Sequence, residues 1–449
     1  RMAGGFIWDW VDQGIYAPGT NHVLYGGDFG DKPNLKAFCL NGVVFSDRSV
    51  SAKYQEVKHV YAPVWITQKG DEIWVKNHHS HLSLEGFSCQ YQVTKNGAVD
   101  QEGELKMPSV QPGDSARLCS LHDFKTYKNT DSRLNLSVIS QQGVEVGREQ
   151  IALSDDLYEA GRKLAADAMK RYRSSRRLAT LSTAELLARN FSVIPQFFRA
   201  PTDNDKSFGN WIAKDWKKTH LDSTLSAIPL KDGEYVYHYG EDGASDKAGS
   251  SASAKSGGNI RLRLEVASQQ DGFVDVKATY SFEGNLPELP RLGLMLELPR
   301  VAYDQVKWYG RGPWENYPDR KQSCPIGWYE SSVENQFTHY PRPQDNGNHE
   351  DCSYIELTNK NGKNALQVIA AGDTPLSFSA LPYSVADLYA ARHDFELKQS
   401  GNPNLRYTCL SLDCAVLGLG NSSCGPGVLK KYSIDKTKTY TLHFKMRIL

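Results

Sequence analysis

Gly4-Gly5-Phe6-Ile7-Trp8-Asp9-Trp10-Val11-Asp12-Gln13 is the stretch on which the fold turns. Phe6-Ile7-Trp8 reads as a short buried strand, with aromatic and carboxylate side chains crowding its C-terminal end. Ends of this composition are where parallel βα barrels build their active sites. The motif begins at residue 4, which leaves no room for earlier barrel strands. The sequence therefore reads as the back part of a longer enzyme, carrying one wall of an active site.

Moving outward, Tyr25-Gly26-Gly27-Asp28-Phe29-Gly30-Asp31 leads through Pro33-Asn34 into Phe38-Cys39-Leu40-Asn41-Gly42-Val43-Val44-Phe45-Ser46-Asp47-Arg48. Further on come Arg199-Ala200-Pro201-Thr202-Asp203-Asn204-Asp205, then Trp308-Tyr309-Gly310-Arg311-Gly312-Pro313-Trp314-Glu315-Asn316-Tyr317-Pro318-Asp319-Arg320, then Asn346-Gly347-Asn348. In content and order these segments closely resemble the C-terminal portion of the large β-galactosidases of glycoside hydrolase family 2. The resemblance spans nearly the whole chain, apart from a patch near 155–190.

Composition bounds the alternatives. The chain has 449 residues, 40% hydrophobic and 23% charged, and a formal net charge of zero. Two or three soluble domains are expected. Balanced charge gives no bulk electrostatic case for nucleic acid or an anionic membrane as partner. No apolar run is long enough for a membrane-spanning helix. Neither the cytoplasm nor the periplasm is singled out. The eight cysteines form no Cys-x-x-Cys pair and are too sparse for a disulfide scaffold or a zinc site, so free, mostly buried thiols are expected.

The fold expected is mainly β, in three parts joined by a linker. Residues 1–60 read as the C-terminal end of a (β/α)8 TIM barrel: a strand, a Gly-, Asp- and Pro-rich loop to about residue 50, then a helix over 51–60. Residues 61–154 read as an immunoglobulin-like β-sandwich, with strands near 64–67, 72–76, 87–93 and 134–138 separated by turns such as Asn96-Gly97. Residues 155–188 read as an atypical linker, helical from Asp155 through Lys170. Arg171, Arg173, Arg176 and Arg177 surround Ser174-Ser175 there, a solvated cluster in preference to a nucleic-acid patch. Residues 189–449 read as a large β-sandwich, with clean alternation at 261–266 and 440–446 and a mobile loop over Gly243–Gly258. The resemblance makes it the family's small-chain-type sandwich, similar to the fold of galactose mutarotases.

The resemblance also assigns roles. Retaining glycosidases need two carboxyl groups about 5 Å apart; in this family both are glutamates on earlier barrel strands, so no catalytic residue is assigned to this chain. Trp8 matches the aromatic residue placed against galactose, where an indole suits the apolar face of a pyranose. Phe38, through its carbonyl, and Asn41, through its side-chain oxygen, match the ligands of a sodium ion beside the sugar. The magnesium expected of the family draws on upstream residues, none carried over here. Cys424, in Leu419–Gly427, falls where many members place a Trp at the aglycone side. Asp9, Trp10, Asp12 and Gln13 either orient the strand end or touch substrate.

Asp203, Asn204 and Asp205 lack the Gly and Glu of a calcium loop and, with Arg199, read as structural. Glu315 and Asp319-Arg320 read as internal pairing. No hydrolase elbow, phosphate loop or dinucleotide fingerprint is present. The implied activity is hydrolysis of terminal β-D-galactosides with retention, with a homo-oligomer or an N-terminal chain as possible partner. Two other readings stand beside it. One is a non-catalytic galactose-binding or complementing fragment. The other is a mutarotase-like epimerase drawing on His339, His349, His393 or His443.

Overall fold

The structure is a computed structural model describing residues 4–173, 192–206, 212–247, 257–269, 272–362, 365–397, 406–422 and 425–449. It is built almost entirely of antiparallel sheets, with one parallel exception at the N-terminal end.

That exception is the barrel remnant. Val11 and Val44 form a parallel bridge. Around it, Asp9 N–H donates to Asn41 O (3.3 Å), Val43 N–H to Asp9 O (2.9 Å), Val44 N–H to Trp10 O (2.9 Å) and Asp12 N–H to Val44 O (3.0 Å). Two parallel segments therefore lie side by side, where the sequence suggested one strand and a loop. Helix α1, Ala52–Val60, follows as expected.

The expectation of a buried strand at 6–8 is corrected. Phe6 is 101% exposed and Trp8 76%, and no described segment pairs with them. A parallel barrel strand is covered on both faces and flanked on both edges. Among the described residues, 9–12 have a neighbour on one edge only, which leaves the aromatic run ahead of them uncovered.

The second unit is a two-sheet sandwich. Val64–Lys69, Glu72–Asn77 and Ser115–Ser120 form one sheet; Ala98–Leu105, Ser88–Lys95, Ser132–Ile139 and Glu145–Ser154 form the other. Alternate residues Ile73, Val75, Cys89, Val93, Leu134, Leu136 and Val138 fill the space between them, as period-2 patterning requires. Asn96 and Gly97 both have positive φ (49° and 82°), the geometry of a tight hairpin turn and the reason for that dipeptide.

Helix α2, Leu157–Arg173, lies within the stretch read as a linker, close to the helix expected from Asp155 through Lys170. It lies on the large sandwich, burying Ala160 and Ala165 with Tyr309, Ile326, Tyr354 and Ile369. A Cβ added at Gly161 would stand 2.6 Å from Ser353 O. Arg447 Nη2 donates to Ala165 O at 2.7 Å. The small residues at 160, 161, 165 and 168 form the close-packing face of an amphipathic helix. Ser174-Ser175, Arg176 and Arg177 lie outside the described residues.

The last unit pairs a five-stranded with a nine-stranded antiparallel sheet. The five-stranded sheet runs in the order Ser192–Gln196, Arg291–Pro299, Tyr407–Val416, Leu376–Leu381, His349–Cys352. The nine-stranded sheet has Val274–Gly284 and Tyr440–Ile448 at its centre. Leu262, Leu294, Trp308, Phe378, Leu412 and Phe444 are among the residues sealed between them. Part of the loop expected at Gly243–Gly258 is ordered: Gly243–Lys247 hairpins back onto Gly233–Gly240. The seven described cysteines are free thiols.

The remnant docks on this sandwich and touches the smaller one. His393 Nε2 lies 2.7 Å from Asp28 Oδ2, its ring stacks on Tyr25 at 4.6 Å, and the Tyr25 hydroxyl donates to Arg392 O. Glu56 accepts the backbone N–H groups of Gln322 and Ser323, and Lys58 pairs with Glu145 at 3.2 Å.

Candidate active-site wall

The parallel pairing brings the two ends that matter together. Trp8 precedes Asp9, whose N–H is bonded to Asn41 O, so the exposed indole and the Asn41 side chain sit at adjacent strand ends. Phe38 lies one short turn earlier, in the 3-10 segment Lys36–Cys39, its N–H donating to Leu35 O. Gln13 N–H holds Cys39 O at 2.9 Å. The Phe38–Asn41 stretch is thus tied to the first segment at both ends.

Asn41 Oδ1 is buried and has no hydrogen-bond partner among the described residues. Buried polar oxygens are nearly always satisfied, so this carboxamide oxygen has a lone pair open to a donor or a cation. A neutral oxygen of this kind suits a hard cation, and the residues present fit the sodium expected of Phe38 and Asn41.

Of the doubtful residues in the opening motif, two orient the chain. Asp9 Oδ2 accepts from Gln13 Nε2 at 2.7 Å. Asp12 is buried, and its Oδ1 accepts the Gly42 N–H at 2.6 Å. Burial pushes the Asp12 carboxyl above its ordinary value, with the Lys53 ammonium acting the other way. Lys53 donates from Nζ to Gly42 O at 2.6 Å, and burial pushes its ammonium down while Asp12 opposes that shift. Trp10 is half exposed and meets the Tyr54 ring edge-on at 6.0 Å.

The large sandwich carries the Asp203 and Leu419 segments. Arg199 grips Asp205 with two bonds, 2.8 and 3.0 Å, and donates to Leu417 O and Gly418 O. Asn204 Nδ2 donates to Gly420 O at 2.7 Å, and Asp319 accepts from the N–H groups of Leu419 and Gly420. These bonds shape the loop that leads to Cys424, which itself lies outside the described residues. Asp203 exchanges bonds with Gln344 at 2.9 and 3.2 Å. Burial raises the Asp203 carboxyl, with the Arg342 guanidinium opposing.

Glu315 is enclosed by Arg320 (3.0 Å), the Tyr340 hydroxyl (2.6 Å) and Gly347 N–H (2.8 Å). Burial pushes its carboxyl up, but those three donors bring it below the usual range. It is an internal pair, as the sequence suggested.

The histidines are engaged elsewhere. His349 is buried between Arg311 O (3.1 Å) and the Gln336 carboxamide (2.6 Å), and burial lowers it to about 4. His393 sits between Asp28 and Glu396 under Tyr25. His339 pairs with Asp394 and His443 with Asp275. His349 and His393 thus serve the packing and the docking seam.

Sequence reasoning did not single out Lys53, Tyr340, Arg342 or Gln344. A lysine in an amphipathic helix reads as solvent-facing. Only the parallel register, which sets α1 behind Gly42, turns it inward.

Three family profiles match the chain: "Glycosyl hydrolases family 2, TIM barrel domain" over 1–66, "Beta-galactosidase, domain 4" over 73–154, and "Beta galactosidase small chain" over 171–446. Curated relatives include a β-galactosidase of Priestia megaterium, 28% identical over 100% of this chain and 45% of its own length. Another, of Lactobacillus delbrueckii subsp. bulgaricus, is 30% identical over 99% and 44%. The chain spans about half the length of the curated relatives it matches. It belongs to the glycoside hydrolase family 2 β-galactosidases and corresponds to their C-terminal portion.

Proposed function

We propose that this chain supplies one wall of a pocket that hydrolyses terminal β-D-galactosides with retention. The acid/base and nucleophile glutamates come from barrel strands upstream of residue 4. The observation that carries the reading is the buried, unpartnered Asn41 Oδ1 beside the exposed Trp8.

In this reading Trp8 stacks on the apolar face of the galactosyl ring. Asn41 Oδ1 and the Phe38 carbonyl hold a sodium ion, whose charge helps orient a sugar hydroxyl. The Asp203 and Leu419–Gly427 loops border the aglycone side, with Cys424 where other members carry Trp. Magnesium, where used, is held upstream.

Phe6, Ile7, Trp8, Ile15 and Tyr16 are exposed apolar side chains that suit cover by the rest of a barrel, supplied on the same polypeptide or by a separate chain. That exposure favours a complementing fragment over a free-standing galactose-binding module. No helix among the described residues is long and apolar enough to cross a membrane. No nucleic-acid or membrane partner is invoked.

A chimera tests the reading, with this chain replacing the matching C-terminal part of the Lactobacillus delbrueckii enzyme. Hydrolysis of a chromogenic β-galactoside is expected. Trp8→Ala should cut kcat/KM by roughly tenfold, the scale of one lost aromatic contact. Asn41→Ala should raise the sodium concentration needed for half-maximal rate. A folded chimera whose rate ignores both substitutions overturns the assignment.

A further inference from the structure

The Gly42 peptide is held from both sides by charged groups. Asp12 Oδ1 takes its N–H at 2.6 Å and Lys53 Nζ gives to its carbonyl at 2.6 Å. No side chain fits at this position: a Cβ would stand 2.0 Å from Asp12 N and 2.4 Å from Val11 C. Bonds to ionised partners are shorter and about twice as strong as neutral ones. Two of them on one peptide unit make a clamp.

Lys53 is costly to bury unless paired. Its ammonium feels the carboxylates of Asp12, Asp203 and Glu315 and the guanidinium of Arg320, and it sits 5.9 Å from the Tyr340 ring centroid. Asp12 belongs to the barrel segment, while Asp203, Glu315 and Tyr340 belong to the large sandwich. The residue before Gly42 is Asn41, with its orphaned oxygen. An acceptor left empty in a tightly held turn is poised for a ligand.

We infer that Asp12 and Lys53 are positioning residues which clamp the Asn41–Gly42 turn and hold Asn41 Oδ1 aimed at an oxygen-seeking monovalent cation, with Lys53, over the Tyr340 ring, fixing that turn against the large sandwich. The inference rests on the proposed galactoside site for its purpose, but the clamp is testable without it.

The test uses the 449-residue chain with 15N-labelled Asn and Gly. Amide exchange at Gly42 and the carboxamide resonances of Asn41 are followed by NMR in the native chain, Asp12→Asn, Lys53→Met and Lys53→Arg. The account predicts Gly42 exchange at least about tenfold faster in Asp12→Asn. In Lys53→Met the Asn41 resonances should move toward free-carboxamide positions, and Lys53→Arg, which keeps the donor, should largely restore them. Resonances of the sandwich cores, away from Tyr340, should stay put in all three, since those units have their own cores. Should Lys53→Met fail to fold, Lys53→Gln serves in its place. Unchanged Gly42 exchange and unchanged Asn41 resonances in the folded variants would overturn the clamp. Replacing potassium chloride by sodium chloride in the native chain separates the two ideas. An Asn41 signal that ignores sodium sinks the cation assignment while the exchange data still decide the clamp.

Discussion

The barrel remnant and the large sandwich carry equally recognisable motifs but stand in opposite physical positions. In the sandwich, Leu292, Leu294, Leu410, Leu412 and Phe444 are sealed between two sheets, and even charged groups are enclosed with partners. In the remnant, α1 has no fully buried residue, and Phe6, Ile7, Trp8, Trp10, Ile15 and Tyr16 face outward. A motif can therefore be sharp in sequence where the chain has no means of burying it. The sandwich motifs encode a self-sufficient core. The remnant motifs encode half of an interface whose other half, in the proposed function, is the rest of a barrel.

The sharpest way to press this contrast is to break a buried pair in the sandwich. Arg291 grips Asp413 at 2.6 and 3.1 Å, both buried. Asp413→Ala takes both short bonds from the buried guanidinium, leaving it only Asp345 at 3.5 Å, and should cost about 3 kcal/mol. Urea titration should show this as a lower midpoint with an unchanged slope. Leu412→Ala, a cavity in the same core, should cost about 2–5 kcal/mol.

The next effect is a pH dependence. His349 is fully buried and lowered from 6.5 to about 4. Between those values the unfolded chain binds the proton and the folded chain does not, so stability falls as pH drops from 6.5 to 4. The loss attributable to this residue is about 3 kcal/mol. His349→Gln should flatten the stability profile in that window relative to the native chain. Parallel profiles for the two would contradict the burial argument.

At the small end, Phe6→Ser and Ile7→Ser should move stability by no more than about 0.5 kcal/mol, because neither side chain is covered. If either substitution costs as much as Leu412→Ala, the remnant is packed in solution and the contrast fails. Limited proteolysis should likewise cut ahead of residue 62 before it cuts the sandwiches.

Much of this was legible in the sequence. Alternation in 72–76, 134–138 and 440–446 gave strands and their buried faces, because a half-buried strand writes its period directly. The helix at 157–173 was visible as a helix, but its docking was not. Small residues at 160, 161 and 165 have meaning only against a specific partner surface. The parallel segment at 41–44 was hidden because Asn-Gly is a common turn dipeptide, and a pairing across about thirty residues leaves no local signal. The buried strand expected at 6–8 failed because patterning records what a residue is suited to bury, not whether a partner is there. The roles proposed for Trp8, Phe38 and Asn41 come from the resemblance, and the one proposed for Lys53, which depends on long-range register, only from the structure.

The central claim is that the pocket wall lies in this chain and the reacting carboxyl pair outside it. The most direct measurement is hydrolysis of a chromogenic β-galactoside by the purified 449-residue chain, with its intact mass verified. The account predicts no turnover above the uncatalysed rate. Turnover that co-purifies with the 449-residue mass would mean that a carboxylate pair within these residues does the chemistry, and the division of labour proposed here would be wrong.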